Sequence, residues 1–354
     1  MFKENYNVIG VMSGTSLDGV DLAYISFQKV AHWDFQILQC ETVSYSEEWV
    51  KLLKEAINFS KNDLIKINVE YTNLLSSYIL DFIAKNKIVA IDAVCSHGHT
   101  VLHQPNKGYT LQIGNLPRMA SILNLPVVCD FRVQDVAFGG QGAPLVPIGD
   151  QLLFSRYDYC LNLGGFSNIS FENKGKRIAY DISPVNTVLN FYSKKLGFDY
   201  DDRGALANKG LVNIDLFEQL NWLPFYSQPY PKSLGMEFVN QTILPLLNDF
   251  NISNEDILRT FVEHIAYQIS ISLSKERNTL LVTGGGAYNS FLIDRMRHYL
   301  PKTELVLPND NIIQFKEALI FAFLGVLKLR NEINVLASVT GAKNDHSSGV
   351  IYFN

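Results

Sequence analysis

The sequence has few cysteines, and none of them has a metal-binding or redox spacing. The four cysteines are far apart and form no CxxC pair: Cys40, Cys95, Cys129 and Cys160. This pattern excludes a zinc ribbon and a disulfide framework, and we interpret the cysteines as reduced core residues. Histidines do cluster in SHGHTVLHQP, at 96 to 105, but no cysteine or carboxylate stands at ligand spacing beside them. Pocket lining is therefore favoured over a metal site.

Long hydrophobic runs and an excess of positive charge are also missing. The longest apolar run, Ala318 to Leu327, is well short of the ~20 residues that cross a bilayer. The N-terminus, MFKENYN, leads into an apolar strand pattern without the apolar core of a signal peptide. A net charge of −5 and a pI of about 5.8 argue against nucleic acid or a membrane surface as the partner. The expected location is the cytoplasm.

Two common nucleotide-binding motifs do not occur. Neither GxGxxG nor GxxxxGK[ST] is found, so Rossmann and Walker-type sites have no support. Glycines are instead concentrated behind apolar strand patterns, which lets the backbone approach a ligand closely. They form three tips, which we call the first tip (Ser13 to Gly19), the second tip (Gly164 to Asn168) and the third tip (Thr283 to Asn289).

The length of 354 residues and the hydrophobic content of 47% predict two α/β domains. We place the boundary near the Gly/Pro-rich stretch FGGQGAPLVP, at 138 to 147, which reads as an interdomain hinge and as a loop that substrate approaches. The predicted domains are 1–135 and 136–354, with residues near 340–354 packing back onto the first.

The first tip joins two strand patterns within Val8 to Phe27. A plain hairpin needs only about two or three turn residues, and this tip is longer, with glycines, hydroxyls and a carboxylate. Consecutive N–H groups there could bind phosphate, with Asp18 or Asp21 holding magnesium through water. The alternative is a long turn with a solvated aspartate.

The second half repeats this arrangement about 150 residues later, which indicates a duplicated architecture. Tyr159 to Leu163 is an apolar strand pattern followed by the second tip, and a further strand, Arg177 to Tyr180, leads into Asp181. A carboxylate at a strand end above a cleft is a natural general base. The alternative is that Asp181 only helps to cap a helix beginning at Pro184.

Seven motifs together resemble the anhydro-N-acetylmuramic acid kinases, a family of the actin, Hsp70 and sugar-kinase superfamily. They are GVMSGTSLDGVD at 10 to 21, SHGHTVLHQP at 96 to 105, LQIGNLPRMA at 111 to 120, VVCDFRVQDVAFGGQGAPLVP at 127 to 147, LNLGGFSNIS at 161 to 170, VTGGGAYN at 282 to 289 and TGA at 340 to 342. The resemblance implies two duplicated actin/Hsp70-like ATPase domains with a central cleft.

The resemblance also implies a reaction and a set of site residues. Water opens the anhydro ether of the sugar, and the freed oxygen takes the γ-phosphoryl group of ATP, giving N-acetylmuramic acid 6-phosphate. Asp181 would be the general base, and Asp18 would hold Mg²⁺. The expected nucleotide-binding residues are Gly14, Thr15, Ser16, Leu17, Asp18, Gly19, Val20, Asp21, Gly164, Gly165, Gly284, Gly285 and Gly286. For the lactyl carboxylate and the sugar hydroxyls we favour Arg132 and Glu317, because a guanidinium matches a carboxylate bidentately and a buried Glu can accept from hydroxyls. His97 and Asn186 are the other expected sugar-binding residues. A homodimer is the default expectation.

The sequence departs from the family pattern beside several of these residues. Ile182 and Ser183 replace the usual Thr and Gly, His99 replaces Gln, and Leu234 and Met236 replace Thr and Arg. Two alternatives therefore stay open: a kinase for a related amino sugar, and a non-enzymatic nucleotide switch of the actin or Hsp70 kind. The second would need a peptide-binding domain or a polymer-forming insertion, and neither is evident.

Overall fold

The computed structural model describes residues 3–14, 16–274 and 276–354. Two compact units are formed, one from the described part of Met1–Leu153 together with Phe315–Asn354, the other from the described part of Phe154–Gln314. The chain passes from one unit to the other after Leu153 and again after Gln314, whereas the predicted domain boundary is near residue 135. The glycine-rich stretch 138 to 147 lies inside the first unit. The division into functional domains and the cleft between them stay predictions.

The strands are β1 (Asn5–Ser13), β2 (Val20–Lys29), β3 (Trp33–Val43), β4 (Ala93–Gln104), β5 (Tyr109–Ile113), β6 (Val127–Cys129), β7 (Tyr159–Leu163), β8 (Phe166–Asn173), β9 (Lys176–Pro184), β10 (Asn278–Thr283), β11 (Thr303–Val306) and β12 (Val350–Tyr352). The α-helices are α1 (Glu47–Glu55), α2 (Lys61–Asn86), α3 (Arg118–Leu123), α4 (Val133–Ala137), α5 (Pro147–Leu153), α6 (Asn186–Lys195), α7 (Ile214–Asn221), α8 (Met236–Phe238), α9 (Leu244–Asn248), α10 (Asn254–Ile271), α11 (Ser290–Tyr299), α12 (Asp310–Leu329) and α13 (Ala337–Thr340). Shorter helical turns are Ala56–Asn58, Pro105–Lys107, Asp202–Gly204, Ala207–Lys209, Pro224–Ser227, Val239–Ile243 and Gly285–Tyr288.

The two sheets have the same internal strand order. In the first unit the order is β12-β6-β4-β1-β2-β3, with β5 paired to β4. In the second it is β11-β10-β7-β8-β9. In both, the first three strands form an antiparallel meander. Two more strands run parallel to the first strand of the meander: β4 and β6 in the first unit, and β10 and β11 in the second. This repetition confirms the duplicated α/β architecture.

Helices cover both faces of the first sheet. Ile9 and Val11 of β1 face a cluster that includes Tyr71 and Leu75 of α2. Gly10, which points the other way, lies against α12, and a Cβ there would be 2.2 Å from the carbonyl oxygen of Ala318. Because alternate residues of a strand face opposite sides, β1 is buried on both faces and reads as a continuous apolar run.

The core of the second unit forms around α10. Its buried residues include Phe261, Ile265 and Ile269, which pack with Leu161 and Leu163 of β7. An amphipathic helix against a mixed sheet is the arrangement that the periodicity of both segments predicts. The α12 helix has a non-helical residue at Phe315, with φ −108° and ψ 16°.

Several predicted element boundaries are wrong in informative ways. The histidine segment, predicted to line a pocket, lies within β4, which runs from Ala93 to Gln104. Asp181 lies inside β9 and does not follow its end, and α6 begins at Asn186 with no side-chain cap, so Pro184 is not its first residue. Asp181 therefore does not serve as a cap of that helix. Ser46 caps α1 by accepting a hydrogen bond from the N–H of Trp49.

No helix among the described residues is both long enough and apolar enough to span a membrane.

Candidate active site

The first tip connects β1 to β2 at the edge of the first sheet. Leu17 adopts a left-handed conformation with φ 62°, and its N–H donates to the carbonyl of Gly14 at 3.4 Å. The Ser16 hydroxyl donates to the carboxylate of Asp18, and both side chains are exposed. Thr15, predicted to bind phosphate, lies outside the described residues. The tip therefore presents hydroxyl and carboxylate groups to solvent.

Two predicted nucleotide-binding residues of this segment also have structural roles. Val20 is fully buried in the core of the first unit, which leaves only its backbone for a ligand. Gly19 passes so close to β3 that a Cβ would lie 2.6 Å from the carbonyl oxygen of Val43. A glycine is required there by the packing of β3, whether or not phosphate binds.

Two carboxylates near the first tip have the chemistry that Mg²⁺ prefers. Asp18 is exposed, while Asp21 is partly buried on β2 and accepts a hydrogen bond from Thr42 at 2.6 Å. Burial and the negative charges of Asp18 and Glu317 raise the pKa of Asp21 to about 6, against the Thr42 hydrogen bond. Carboxylate oxygens, with water and phosphate completing the shell, fit magnesium. The described residues contain no group of three or more His, Cys, Asp or Glu able to hold a metal by themselves.

The raised pKa of Asp21 predicts that stability decreases with rising pH. A carboxyl with a raised pKa in the folded state contributes stability that is complete below its unfolded value of 3.8 and is lost through about 6. We expect the ligand-free protein to lose about 1–2 kcal/mol of unfolding free energy over this window, a value reduced for partial exposure. The Asp21→Asn variant, which lacks this titrating carboxyl, should lose less unfolding free energy over the same pH range. Urea unfolding across the window measures both, and equal pH slopes would contradict the prediction.

Arg132 and His97 form a buried polar pair in the first unit. The Nε–H of Arg132 donates to Nε2 of His97 at 2.8 Å, and Nη1 donates to the carbonyl of Gly142 at 2.7 Å. His97 Nδ1 contacts the carbonyl of Gly98 at 2.9 Å, so Nδ1 carries the proton and Nε2 accepts. Burial and the charge of Arg132 hold the pKa of His97 well below its usual range. The imidazole is neutral and orients the guanidinium.

Arg132 and Glu317 are close enough to influence each other electrostatically. Burial lowers the pKa of Arg132 to about 10, while Glu317 and Asp135 act in the opposite direction, so the guanidinium is charged at neutral pH. The side chain of Glu317 is accessible to solvent, but desolvation by the surrounding protein raises the pKa of its carboxyl. The positive charges of Arg132 and Lys316 oppose part of this rise. A fixed cation beside an accessible acceptor is suited to a ligand that has a carboxylate and hydroxyl groups.

In the second unit, the structure brings together the second tip, the third tip and Asn186. The N–H groups of Val185 and Asn186 donate to the carbonyls of Gly165 and Gly164 at 2.8 and 3.2 Å. A Cβ on Gly286 would lie 2.7 Å from Cβ of Leu163, and one on Gly285 would lie 3.8 Å from Nδ2 of Asn186. Gly165 and Gly285 are exposed, so their backbone is accessible to a ligand.

The predicted role of the third tip in nucleotide binding implies that Gly284→Ala should weaken ATP binding. Gly284 has φ 82°, and a Cβ there would be 2.5 Å from Oδ1 of Asn162 and 2.9 Å from the backbone of Leu163. The third tip must shift, so we expect the KM for ATP to rise at least about tenfold. Gly197→Ala is the matched control, because Gly197 has φ 88° but open space around it. An unchanged KM for ATP in Gly284→Ala would contradict the prediction.

Asp181 lies in β9, opposite Asn168 of β8, and is partly buried. Its Oδ2 accepts a hydrogen bond from the N–H of Leu234 at 2.8 Å, and its own N–H donates to the carbonyl of Lys232 at 3.1 Å. Burial raises the pKa of the carboxyl, and the Leu234 hydrogen bond opposes this rise. A desolvated carboxylate held by backbone contacts is a competent proton acceptor.

Ser13 and His99 belong to a chain of buried hydrogen bonds in the first unit that also includes two tyrosines, which the sequence did not single out. Ser13 Oγ is 2.6 Å from the Tyr45 hydroxyl and 2.8 Å from Nδ1 of His99, and Tyr45 contacts Tyr71 at 2.5 Å. Burial lowers the pKa of His99 to about 4, so this histidine is a neutral member of the chain of hydrogen bonds. Ser13 ends β1, but His99 is in the middle of β4, so nothing in the sequence indicated that these side chains meet.

Two sheets that share one strand order, each with a polar hairpin tip after its first strand, define a duplicated α/β protein. Comparison with known proteins is more specific. The chain belongs to the anhydro-N-acetylmuramic acid kinase family, whose family model matches residues 6–354.

Curated relatives agree over almost the full chain. The anhydro-N-acetylmuramic acid kinase of Pasteurella multocida (strain Pm70) is 36% identical over 365 residues, covering 97% of this chain and 96% of its own. That of Mannheimia succiniciproducens is 36% identical over 379 residues, covering 99% and 100%. Among solved structures, the activator of the 2-hydroxyisocaproyl-CoA dehydratase from Clostridium difficile with bound ADPNP has a TM-score of 0.43 and 14% identity, covering 92% of this chain and 96% of its own.

Proposed function

We propose that this chain is an ATP-dependent kinase that opens 1,6-anhydro-N-acetylmuramic acid with water and phosphorylates it to N-acetylmuramic acid 6-phosphate, a step of peptidoglycan recycling. Family membership over residues 6–354 supports the reaction type. The observation that carries the assignment of the base is Asp181, a desolvated carboxylate with one oxygen fixed by the N–H of Leu234.

Asp181 accepts a proton from the water that attacks the anomeric carbon. The new bond to C1 forms as the C1–O6 bond breaks, and O6 takes the γ-phosphoryl group while ADP leaves. Burial, which raises the pKa of Asp181, makes it a stronger base than a solvated aspartate. Its hydrogen bond to the backbone keeps the other oxygen directed to the water.

The glycine tips bind ATP in this proposal. The first tip, with Asp21 beside it, is assigned to the phosphates. The second and third tips are assigned to the remainder of the nucleotide, which they would bind through the exposed backbone of Gly165 and Gly285. Asp18, with Asp21 near it, would hold Mg²⁺ through water, and the ion would neutralise charge on the phosphates.

The sugar is recognised by the polar pair and by two further residues. Arg132 binds the lactyl carboxylate, because its guanidinium is charged and held in place by His97 and Gly142. Glu317 accepts hydrogen bonds from sugar hydroxyls, and Asn186 contacts the ligand from the second unit.

The decisive experiment is turnover in ¹⁸O-labelled water with mass analysis of the product. We expect one heavy oxygen at the anomeric position and none in the phosphoryl group, because the water attacks C1 and O6 receives the phosphate. Incorporation at phosphorus would mean ordinary ATP hydrolysis, and an unlabelled sugar phosphate would mean simple transfer without ring opening. Either result would contradict the proposed reaction.

A kinase for a related amino sugar is the second candidate, and Leu234 and Met236 favour it. Leu234 is adjacent to Asp181 through its backbone, and Met236 is exposed, so both positions could alter recognition of the sugar. Ile182 and Ser183, by contrast, are buried, and Ser183 pairs with Ser167 at 3.0 Å. Release of ADP with the anhydro sugar, compared with simple hexosamines, separates the candidates.

A homodimer and a cytoplasmic location complete the proposal. The location follows from ATP as the phosphoryl donor. Light scattering of the purified chain tests the oligomeric state.

A further inference from the structure

The glycine loop, residues 138–147, is wrapped around the carboxylate of Asp135. Asp135 has no exposed surface, and its Oδ2 accepts a hydrogen bond from the N–H of Gly142 at 2.6 Å. A Cβ on Gly140 would lie 2.2 Å from the same oxygen. The glycine at 140 is therefore required because the backbone passes directly over a buried carboxylate.

The C-terminal TGA motif holds the other side of this carboxylate. The Thr340 hydroxyl donates to Oδ1 of Asp135 at 2.8 Å, and the carbonyl of Thr340 accepts from the N–H of Gln141 at 2.8 Å. Nε2 of His346 is 3.6 Å from Oδ1. The N–H of Lys343 also donates to the carbonyl of Phe138 at 3.1 Å. The glycine loop is thus anchored to residues far along the chain and does not behave as a free linker within this unit.

The same loop orients Arg132. Gly142 donates its N–H to Asp135 and accepts a hydrogen bond from Nη1 of Arg132 through its carbonyl, at 2.7 Å. The Nε–H of Arg132 is directed to His97. Among the residues that the structure describes, Nη2 has no hydrogen-bond partner, and the guanidinium lies over the ring of Phe321, 5.7 Å from its centroid. Two nitrogens of the guanidinium are fixed, and the third is left for a ligand.

We propose that Asp135 and Thr340 are positioning residues that set the affinity for the carboxylate of the sugar by fixing the guanidinium of Arg132. The inference rests on the proposed function, in which Arg132 binds that carboxylate. Neither residue touches the reacting atoms. The connection runs from Thr340 to Asp135, then through the Gly142 backbone to Arg132, and each step is a hydrogen bond of 2.6 to 2.8 Å.

Thr340→Val tests the proposal because it removes the hydroxyl and keeps the shape. We expect the KM for the anhydro sugar to rise about tenfold, as for a lost hydrogen bond to a charged group, while kcat and the KM for ATP change less than about twofold. Thr340→Ser should restore the KM. The matched control is Thr72→Val, which removes another buried hydroxyl of the first unit, one that donates to the carbonyl of Asn68 at 2.6 Å.

A double-mutant cycle with Arg132→Lys then separates positioning from a general loss of stability. If Thr340 acts through Arg132, Thr340→Val should change the sugar KM less than about twofold in the Arg132→Lys background. An additive tenfold increase there would overturn the proposal. So would a Thr340→Val variant that, like Thr72→Val, only lowers the melting temperature. Wild-type protein without turnover of the anhydro sugar overturns the proposed function first, and this inference with it.

Discussion

Replacement of Asp181 by Asn is expected to lower kcat by about 10²–10⁴-fold, the usual contribution of a positioned general base, and to leave ATP binding intact. Asparagine keeps the size of the side chain and can still accept the hydrogen bond from Leu234, which Asp181 receives at 2.8 Å. It cannot take a proton from water. Steady-state kinetics with the anhydro sugar, together with nucleotide binding measured by calorimetry, checks both parts.

Asp201→Asn is the matched control for that variant. Asp201 is also buried in the second unit, accepts N–H groups of Leu206 and Ala207 at 2.7 and 3.0 Å, and has a pKa raised by burial. It has no role in the proposed chemistry, so Asp201→Asn should keep kcat within about twofold. A comparable loss in both variants, or full turnover in Asp181→Asn, would refute the assignment of the base.

The acid side of the pH profile should report the same carboxyl. Because burial raises the pKa of Asp181, the base is protonated and inactive at a higher pH than a solvated aspartate would be, and kcat should fall as the pH is lowered through that value.

Replacement of Asp150 by Ala should strongly destabilise the first unit. Asp150 and Lys316 form an ion pair of 2.7 Å, with side chains only 5% and 7% exposed. Removing the carboxylate takes away this counter-charge of a buried ammonium group, and we expect a loss of about 3–5 kcal/mol of unfolding free energy. Urea unfolding followed by a signal of the first unit measures this loss.

The double variant Asp150→Leu with Lys316→Met distinguishes a buried charge from a packing defect. With both charges replaced by apolar groups, most of the stability should return, because the desolvation of two ions is removed together with their attraction. Lys66→Ala is the exposed control in the same unit: it breaks the pair with Asp63, in which the Lys66 and Asp63 side chains are 75% and 54% exposed, and should cost less than about 1 kcal/mol. Equal losses in Asp150→Ala and Lys66→Ala would contradict the prediction.

Much of the architecture could be predicted from local sequence. Apolar strand patterns with polar tips recur in both halves, and each pattern depends on near neighbours in the chain, so β1, β2, β7 and the third tip are found where expected. The same reasoning indicated Asp181 as a candidate base, because an acidic residue that follows an apolar strand pattern can be recognised without tertiary contacts.

Local patterns predicted some positions less well. Asp181 is within β9, because pairing with β8 extends the strand to Pro184. How far a strand continues depends on the partner strand, and the residues of the strand itself do not show it. Ser183, a departure from the family pattern, is matched by Ser167 through a buried pair of hydroxyls at 3.0 Å. The meaning of that departure depends on a partner in another strand.

The sequence alone determined the class of the protein: a duplicated α/β chain with glycine tips, a candidate base and the motifs of one family. Only the tertiary structure decided which groups the glycine loop and the TGA motif contact. Thr340 and Asp135 are 205 positions apart, and no periodicity or spacing records which buried hydroxyl meets which buried carboxylate. Such pairs are set by how the elements pack, since a buried polar group must find its hydrogen-bond partner wherever the fold places one.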